Sequence, residues 1–344
     1  MTTQNIKHPP ARPVYLPAVG TWDQSWYLLD GRAQDAIDLT VASGRPLLVR
    51  GLPGTGKSDL ARAAAEYLQR AFVYEVITAR TEPQDLLWQF DAIARLADAQ
   101  ANQNDSASVN PPDYISPGPL WWALNWRSAN DYLNLHKKGT RQQPDATLTL
   151  SNEKKVNQAD RAQSKGTVLL LDEIDKADSE LPNSLLEVLA NTGFRLPWGG
   201  EDVKSEAKQK PLIIITTNED RELPPAFVRR CLVLEIKPGN DFAVWIKERA
   251  RVHFRDPVQG SDPNDPRPIL AKTILDKAAD KLMEERNDIH QSDGPLPGLA
   301  EYLDLLRGLF HLAPEDTEKQ SDWLERVYGF AYQKQPNSDN DYST

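Results

Sequence analysis

The chain has 344 residues, about two domains' worth, and enough to bury its cores without disulfides or a structural metal. Lys plus Arg number 40 and Asp plus Glu 50, a formal charge of -10, which argues against a surface built throughout for nucleic acid or anionic membrane but leaves room for a local basic patch. The single cysteine, Cys231, excludes an internal disulfide framework and a cysteine-rich zinc site and fits a reducing cytosol. With no apolar run of signal-peptide or transmembrane length, a cytoplasmic location is the expectation.

In chain order, prolines punctuate the first twenty residues, which read as an extended arm. Asp30 to Ala42 has a weak helical pattern, and Leu47 to Val49 is a short buried strand. A glycine-rich turn leads into a helix over Lys57 to Arg70, then a β-branched and aromatic strand over Phe72 to Ile77. Glu82 to Ala101 reads as one helix with Leu86, Leu87, Phe90, Ile93 and Leu96 as its apolar face, followed by a polar loop to Pro119. Leu120 to Leu135 is predicted helical and carries Trp121, Trp122 and Trp126. From His136 to Gly166 the chain is almost wholly polar and reads as a partly mobile insertion. A strand over Thr167 to Leu171, a helix over Ser179 to Ala190, a hairpin or loop over Phe194 to Lys210, and strands over Leu212 to Thr217 and Leu232 to Ile236 follow.

Run-like strands alternating with helices predict an α/β fold, a five-stranded parallel sheet flanked by helices. After Pro238 the pattern becomes all-helical: Phe242 to Phe254, Ile269 to Arg286, Leu299 to Leu312 and Thr317 to Tyr332. The expected organisation is an extended arm over 1–22, an α/β domain over 23–238 with inserts near 82–119 and 136–166, a helical lid over 239–334 and a disordered tail over 335–344. The mean hydropathy of -0.58, low for an enzyme, traces to the polar inserts and tail.

Gly51-Leu52-Pro53-Gly54-Thr55-Gly56-Lys57-Ser58 fits the pattern G-x-x-x-x-G-K-[ST] between a strand and a helix. Glycines let backbone N–H groups face phosphates, Lys57 can reach the β- and γ-phosphates, and the Ser58 hydroxyl can ligate Mg²⁺. Leu60, one turn into the helix, completes the nucleotide-binding set with Pro53 and Thr55. Downstream, Val168 to Leu171 is an apolar strand ending in Asp172 and Glu173; Asp172 would hold the magnesium largely through water and Glu173 would be the general base. Asp175 and Asp178 read as the N-terminal region of the next helix. Asn218, at the end of another buried strand, either orients the attacking water or caps a turn. Arg229 and Arg230 are either solvated or one of them reaches a neighbouring subunit's γ-phosphate.

Together these residues resemble an AAA+ ATPase, and within that group the MoxR branch. The stretches that carry the resemblance are Arg45 to Ser58 (RPLLVRGLPGTGKS), Thr81 to Leu87 (TEPQDLL), Gly118 to Leu120, Leu171 to Ala177 (LDEIDKA), Thr216 to Asn218 and Leu223 to Arg230 (LPPAFVRR). The resemblance implies a sensor-1 role for Asn218 and an arginine-finger role for Arg230, with Arg229 the fallback. It also implies ATP and Mg²⁺ as cofactors, a homo-oligomeric ring (usually a hexamer) with ATP between subunits, and a protein client, often one with a von Willebrand factor A domain. It places 82–119 where the family carries an insert that faces the pore or a partner. The chain departs from the family at Leu296-Pro297, where Leu296 stands at the usual basic sensor-2 place, with Arg307 further along that helix, and at the polar insertion over 136–166.

The three tryptophans could stack bases, but at this spacing packing is the simpler reading. Lys137-Lys138 and Lys154-Lys155 lie near acidic residues and read as a solvated face; the five histidines have no metal-ligand spacing. The competing function is a nucleic-acid-directed NTPase motor related to restriction-type AAA+ GTPases, which the acidic balance disfavours. A non-hydrolysing switch is disfavoured by the presence of both Asp172 and Glu173.

Overall fold

A computed structural model describes residues 8–101, 109–136, 143–197, 202–205, 210–239, 241–256, 265, 267–289, 296–314 and 316–333. The tail expected over 335–344 and the pair Lys137-Lys138 lie outside the described residues. The chain divides into two compact units: one from the N-terminus to Ser25 with Leu29–Gly51 and Lys57–Glu235, the other from Trp26–Leu28, Leu52–Gly56 and the chain from Ile236 on.

The extended arm expected over 1–22 is described from residue 8, and it carries a strand. β1 (Arg12–Leu16) and β2 (Ser25–Leu29) pair into a two-stranded sheet, in which Leu16 and Leu29 are fully buried. Buried Arg62 holds the segment between them, donating to the carbonyls of Pro17 and Asp23 at 2.8 Å each. Pro13 is tolerated in such an edge strand, which is anchored by the burial of Leu16 at its end.

α1 (Gly31–Ser43), β3 (Leu47–Arg50), α2 (Lys57–Leu68) and β4 (Ala71–Val76) follow as the sequence patterns predict. The single helix expected over Glu82–Ala101 is instead a one-turn helix at Pro83–Leu86, β5 (Trp88–Phe90) and α3 (Ala92–Ala101). β5 pairs antiparallel with β6 (Ile115–Pro117), Phe90 opposite Ile115. The apparent helical stripe belongs to different environments: Leu86 is fully buried, while Ile93 and Leu96 of α3 are 83% and 60% exposed. Long-range strand pairing overrode local periodicity.

The helix expected over Leu120–Leu135 is two, α4 (Pro119–Leu124) and α5 (Trp126–Leu135), broken at Asn125, whose side chain caps α5 by accepting from the Ser128 N–H at 3.0 Å. Trp121, Trp122 and Trp126 are buried in the sheet's core cluster, so they pack rather than present a stacking surface. Of the polar 136–166 stretch, residues 143–166 carry regular structure: β7 (Thr147–Thr149) pairs antiparallel with β8 (Lys155–Asn157), and α6 (Gln158–Lys165) follows. Polar side chains tie it down. Gln158, fully buried, accepts from the Phe72 N–H of β4 at 2.7 Å and donates to the Asp145 carbonyl at 2.9 Å, and Arg161 forks onto Glu66 at 2.5 and 3.0 Å.

β9 (Thr167–Asp172), α7 (Glu180–Asn191), the antiparallel pair β10 (Gly193–Arg195) and β11 (Asp202–Lys204), β12 (Leu212–Thr217), the short α8 (Pro225–Val228) and β13 (Leu232–Glu235) complete this unit. The main sheet has five strands in the order β13-β3-β12-β9-β4, all parallel, flanked by helices as expected. Leu48, Val73, Leu169, Leu171, Ile213 and Ile215 face one core cluster, while Leu47, Val49, Val168, Leu170 and Ile214, equally buried, alternate with them. The register sets Thr217 beside Arg50 and Ile215 beside Leu171, so β3, β9 and β12 end together. The carboxyl ends of such strands are where parallel α/β sheets place ligands.

The helical unit contains α9 (Phe242–His253), α10 (Lys272–Ile289), α11 (Leu299–Leu312) and α12 (Thr317–Tyr332). Trp245, Ile246, Leu275, Leu282, Leu306 and Leu324 centre its core. Buried Tyr302 and Tyr332 donate to the Leu275 and Ala278 carbonyls at 2.8 and 3.1 Å, and their burial drives both phenol pKa values up.

Candidate functional site

The phosphate-loop pattern is a compact turn. Gly54 and Gly56 have φ of 72° and 86°, a conformation costly for residues with a side chain. A Cβ on Gly54 would stand 2.8 Å from the Ala300 Cβ, and one on Gly56 3.1 Å from the Tyr27 ring. The Thr55 hydroxyl closes the turn on the Leu52 carbonyl at 2.8 Å. α2 begins at Lys57, whose ammonium donates to the Gly51 carbonyl at 2.7 Å. Burial lowers the Lys57 pKa, against the opposing pull of Asp172, Asp175, Glu173 and Asp220. Leu60, one turn into α2, is fully buried.

The acidic strand meets that helix directly. The Ser58 hydroxyl lies 2.9 and 2.8 Å from the two carboxylate oxygens of Asp172. Glu173 follows in the left-handed region, φ 59° and ψ 49°, and Asn218 donates to its Oε1 at 3.3 Å. The sequence motifs therefore bring Lys57, Ser58, Asp172, Glu173 and Asn218 to one end of the sheet. Asp175 does not stand at the start of the next helix: it is 1% exposed in a short turn at Ile174–Lys176, and its Oδ2 accepts from the Asp220 N–H at 2.9 Å. Asp178 is exposed just ahead of α7.

Arg229 and Arg230 stand apart from that cluster, on the turn between α8 and β13, both exposed. Arg230 makes one long bond, 3.4 Å, to the Ala226 carbonyl; the Arg229 side chain has no partner among the described residues. Their backbone is held by Arg45, just ahead of β3, whose guanidinium donates to the carbonyls of Arg229 at 2.6 Å, Arg230 at 3.1 Å and Cys231 at 3.0 Å. Cys231 is buried against the Phe227 carbonyl, and burial pushes its thiol up to about 11.

In the helical unit, Pro297 follows Leu296, and its carbonyl accepts from Arg286 of α10 at 2.5 Å; Arg286 also lies over the Phe242 ring at 4.0 Å. Arg307 pairs with Asp304 at 3.1 Å on its own helix. Sequence reasoning missed Thr216, Arg45, Arg50 and Arg286. Arg45, Arg50 and Thr216 lie in stretches that carry the family resemblance, but no role was read for their side chains, and Arg286 lies in none of those stretches.

Residues 31–198 match the family described as the AAA ATPase domain. The match spans the phosphate loop and the acidic strand and stops short of β12 and the arginine turn. No curated protein sequence matches the chain. Among solved structures it is similar to a candidate ATPase of Cytophaga hutchinsonii, 13% identical over 87% of this chain and 79% of that one, TM-score 0.38. It is also similar to two single-residue variants of RuvB from Thermotoga maritima, each 12% identical over 86% of this chain, covering 68% and 67% of theirs, with TM-scores 0.42 and 0.40.

Proposed function

We propose that this chain is a MoxR-like AAA+ ATPase that hydrolyses ATP at subunit interfaces of a ring, a hexamer, to remodel or activate a protein partner. The observation that carries the reading is the Ser58–Asp172 contact, with Lys57 on the same helix and Glu173 and Asn218 at the adjoining strand ends.

The loop's backbone N–H groups and the Lys57 ammonium bind the β- and γ-phosphates. A bound phosphate favours the charged lysine that burial alone disfavours. The Ser58 hydroxyl and the Asp172 carboxylate form a hard oxygen pair suited to Mg²⁺, which, when bound, neutralises charge developing on the phosphates. Glu173 accepts the proton of the attacking water at its carboxylate, and the Asn218 amide, already on Glu173 Oε1, orients that water. Gly51, Pro53, Gly54, Thr55, Gly56 and Leu60 shape and anchor the loop. Arg230, or Arg229 in its place, reaches the next subunit's γ-phosphate from an exposed turn. A von Willebrand factor A domain protein is the client class that fits the family resemblance.

Lys57→Ala tests the loop. Titration with a fluorescent ATP analogue should show binding lost in the variant and present in the parent; undiminished affinity would refute the assignment.

A further inference from the structure

We infer that Thr216 is a positioning residue through which β12 sets both acidic groups of the site at once. The inference rests on reading Asp172 and Glu173 as the acidic pair of a nucleotide hydrolase.

Thr216 is fully buried, and its one hydroxyl has two partners. It donates to Asp172 Oδ1 at 2.5 Å and accepts the backbone N–H of Glu173 at 2.9 Å. The first bond fixes the Asp172 carboxylate in rotation. Oδ1 takes both Thr216 and Ser58, whereas Ser58 is the hydroxyl on Oδ2, so the two oxygens are inequivalent before any cation arrives. The second bond holds the backbone of Glu173 in its left-handed conformation, sparsely populated for a residue with a side chain and kept only where surroundings impose it. That conformation aims the Glu173 carboxylate at Asn218, which follows Thr216 by two residues on the same strand end.

Thr217 repeats the device in a different place. Its hydroxyl accepts the N–H of Glu219 at 2.9 Å, and Glu219, at φ 63°, is again left-handed. The Glu219 carboxylate lies 3.3 Å from Arg50 Nε, at the last residue of β3 before the phosphate loop. Side chains alternate across a strand, so neighbouring hydroxyls serve opposite sides: Thr216 serves the acidic pair and Thr217 the loop that carries Asn218 onward. Thr217 is therefore the internal control, a buried threonine of the same strand whose hydroxyl is engaged by the Glu219 N–H rather than by Asp172 or Glu173.

The test uses the full chain and its variants Thr216→Val, Thr216→Ser and Thr217→Val, with folding checked by circular dichroism. The first readout is the affinity of a non-hydrolysable ATP analogue in EDTA and in excess magnesium; the second is the split between kcat and KM for ATP. Thr216→Val should bind the analogue in EDTA like the parent, lose about tenfold of the magnesium-dependent gain, and lose about 10- to 100-fold in kcat with a smaller change in KM. Thr216→Ser should recover both, and Thr217→Val should keep the magnesium gain. A Thr216→Val protein with parental magnesium gain and kcat overturns the inference, as does a Thr216→Ser protein as impaired as the valine variant. If the valine variant does not fold, Thr216→Ala takes its place under the same criteria. A parent that neither binds the analogue with magnesium nor hydrolyses ATP overturns the functional reading itself, an outcome recognisable because it appears before any substitution.

Discussion

The acidic corner and the arginine turn are held in opposite ways. At the ends of β9 and β12, Asp172, Asp175 and Thr216 are buried, and side chain bonds to side chain or backbone from Ser58 to Asn218. On the α8–β13 turn the backbone is gripped at three successive carbonyls by Arg45, yet the side chains of Arg229 and Arg230 are exposed. Groups that act within their own chain are fixed to the last atom. Groups presented outward are fixed only as far as the main chain, which leaves long guanidinium arms to find a partner elsewhere. The ring proposal draws on this asymmetry.

Three substitutions would break or sharpen the contrast. The largest effect belongs to Arg230→Ala, which in the proposed ring should lower the hydrolysis rate by about 10³- to 10⁵-fold while sparing ATP binding. Mixing it with Glu173→Gln subunits, which supply the arginine but not the base, should restore turnover. If that mixture stays inactive and Arg229→Ala gives the rescue, Arg229 is the finger. Next comes Glu173→Gln alone: about 10²- to 10⁴-fold slower hydrolysis with binding intact and assembled rings trapped by ATP, read by size-exclusion chromatography. Normal turnover there would mean that another residue is the base. The smallest is Arg45→Met, which removes every donor from the three carbonyls. It should cost about 10- to 100-fold in kcat with affinity unchanged, since a misplaced turn misplaces its arginines. Arg45→Lys should recover little, because a single ammonium lacks the fork that spans three acceptors. An unaltered kcat in the methionine variant would uncouple the turn from catalysis.

What the sequence made legible follows the same division. β9 and β12 are continuous apolar runs and were readable as buried strands, and α12 was placed at its observed bounds, Thr317–Tyr332, by its apolar periodicity. The phosphate loop and acidic pair were readable because phosphate chemistry fixes residue types at fixed spacing. The helix expected over 82–101 was misread because Leu86, Phe90, Ile93 and Leu96 mimic one helical face, whereas the pairing of Phe90 with Ile115 depends on a contact that local periodicity cannot register. The order of residues 143–166 was not legible because Gln158 and Arg161 anchor them by hydrogen bonds and an ion pair, which hydropathy counts as surface. The roles of Thr216 and Arg45 were invisible for a related reason: their partners are backbone groups and a carboxylate from distant parts of the chain.

The buried thiol beside the arginine turn gives the molecule a clock. Cys231 is the chain's one cysteine, its proton is held by burial, and its sulfur rests on the Phe227 carbonyl. A thiol reagent can reach it only when the turn opens, so the labelling rate counts local opening events on the segment that carries Arg229 and Arg230, with no other sulfhydryl to confuse the signal. At a reagent concentration where labelling outruns reclosing, the time it needs is the lifetime of the closed turn.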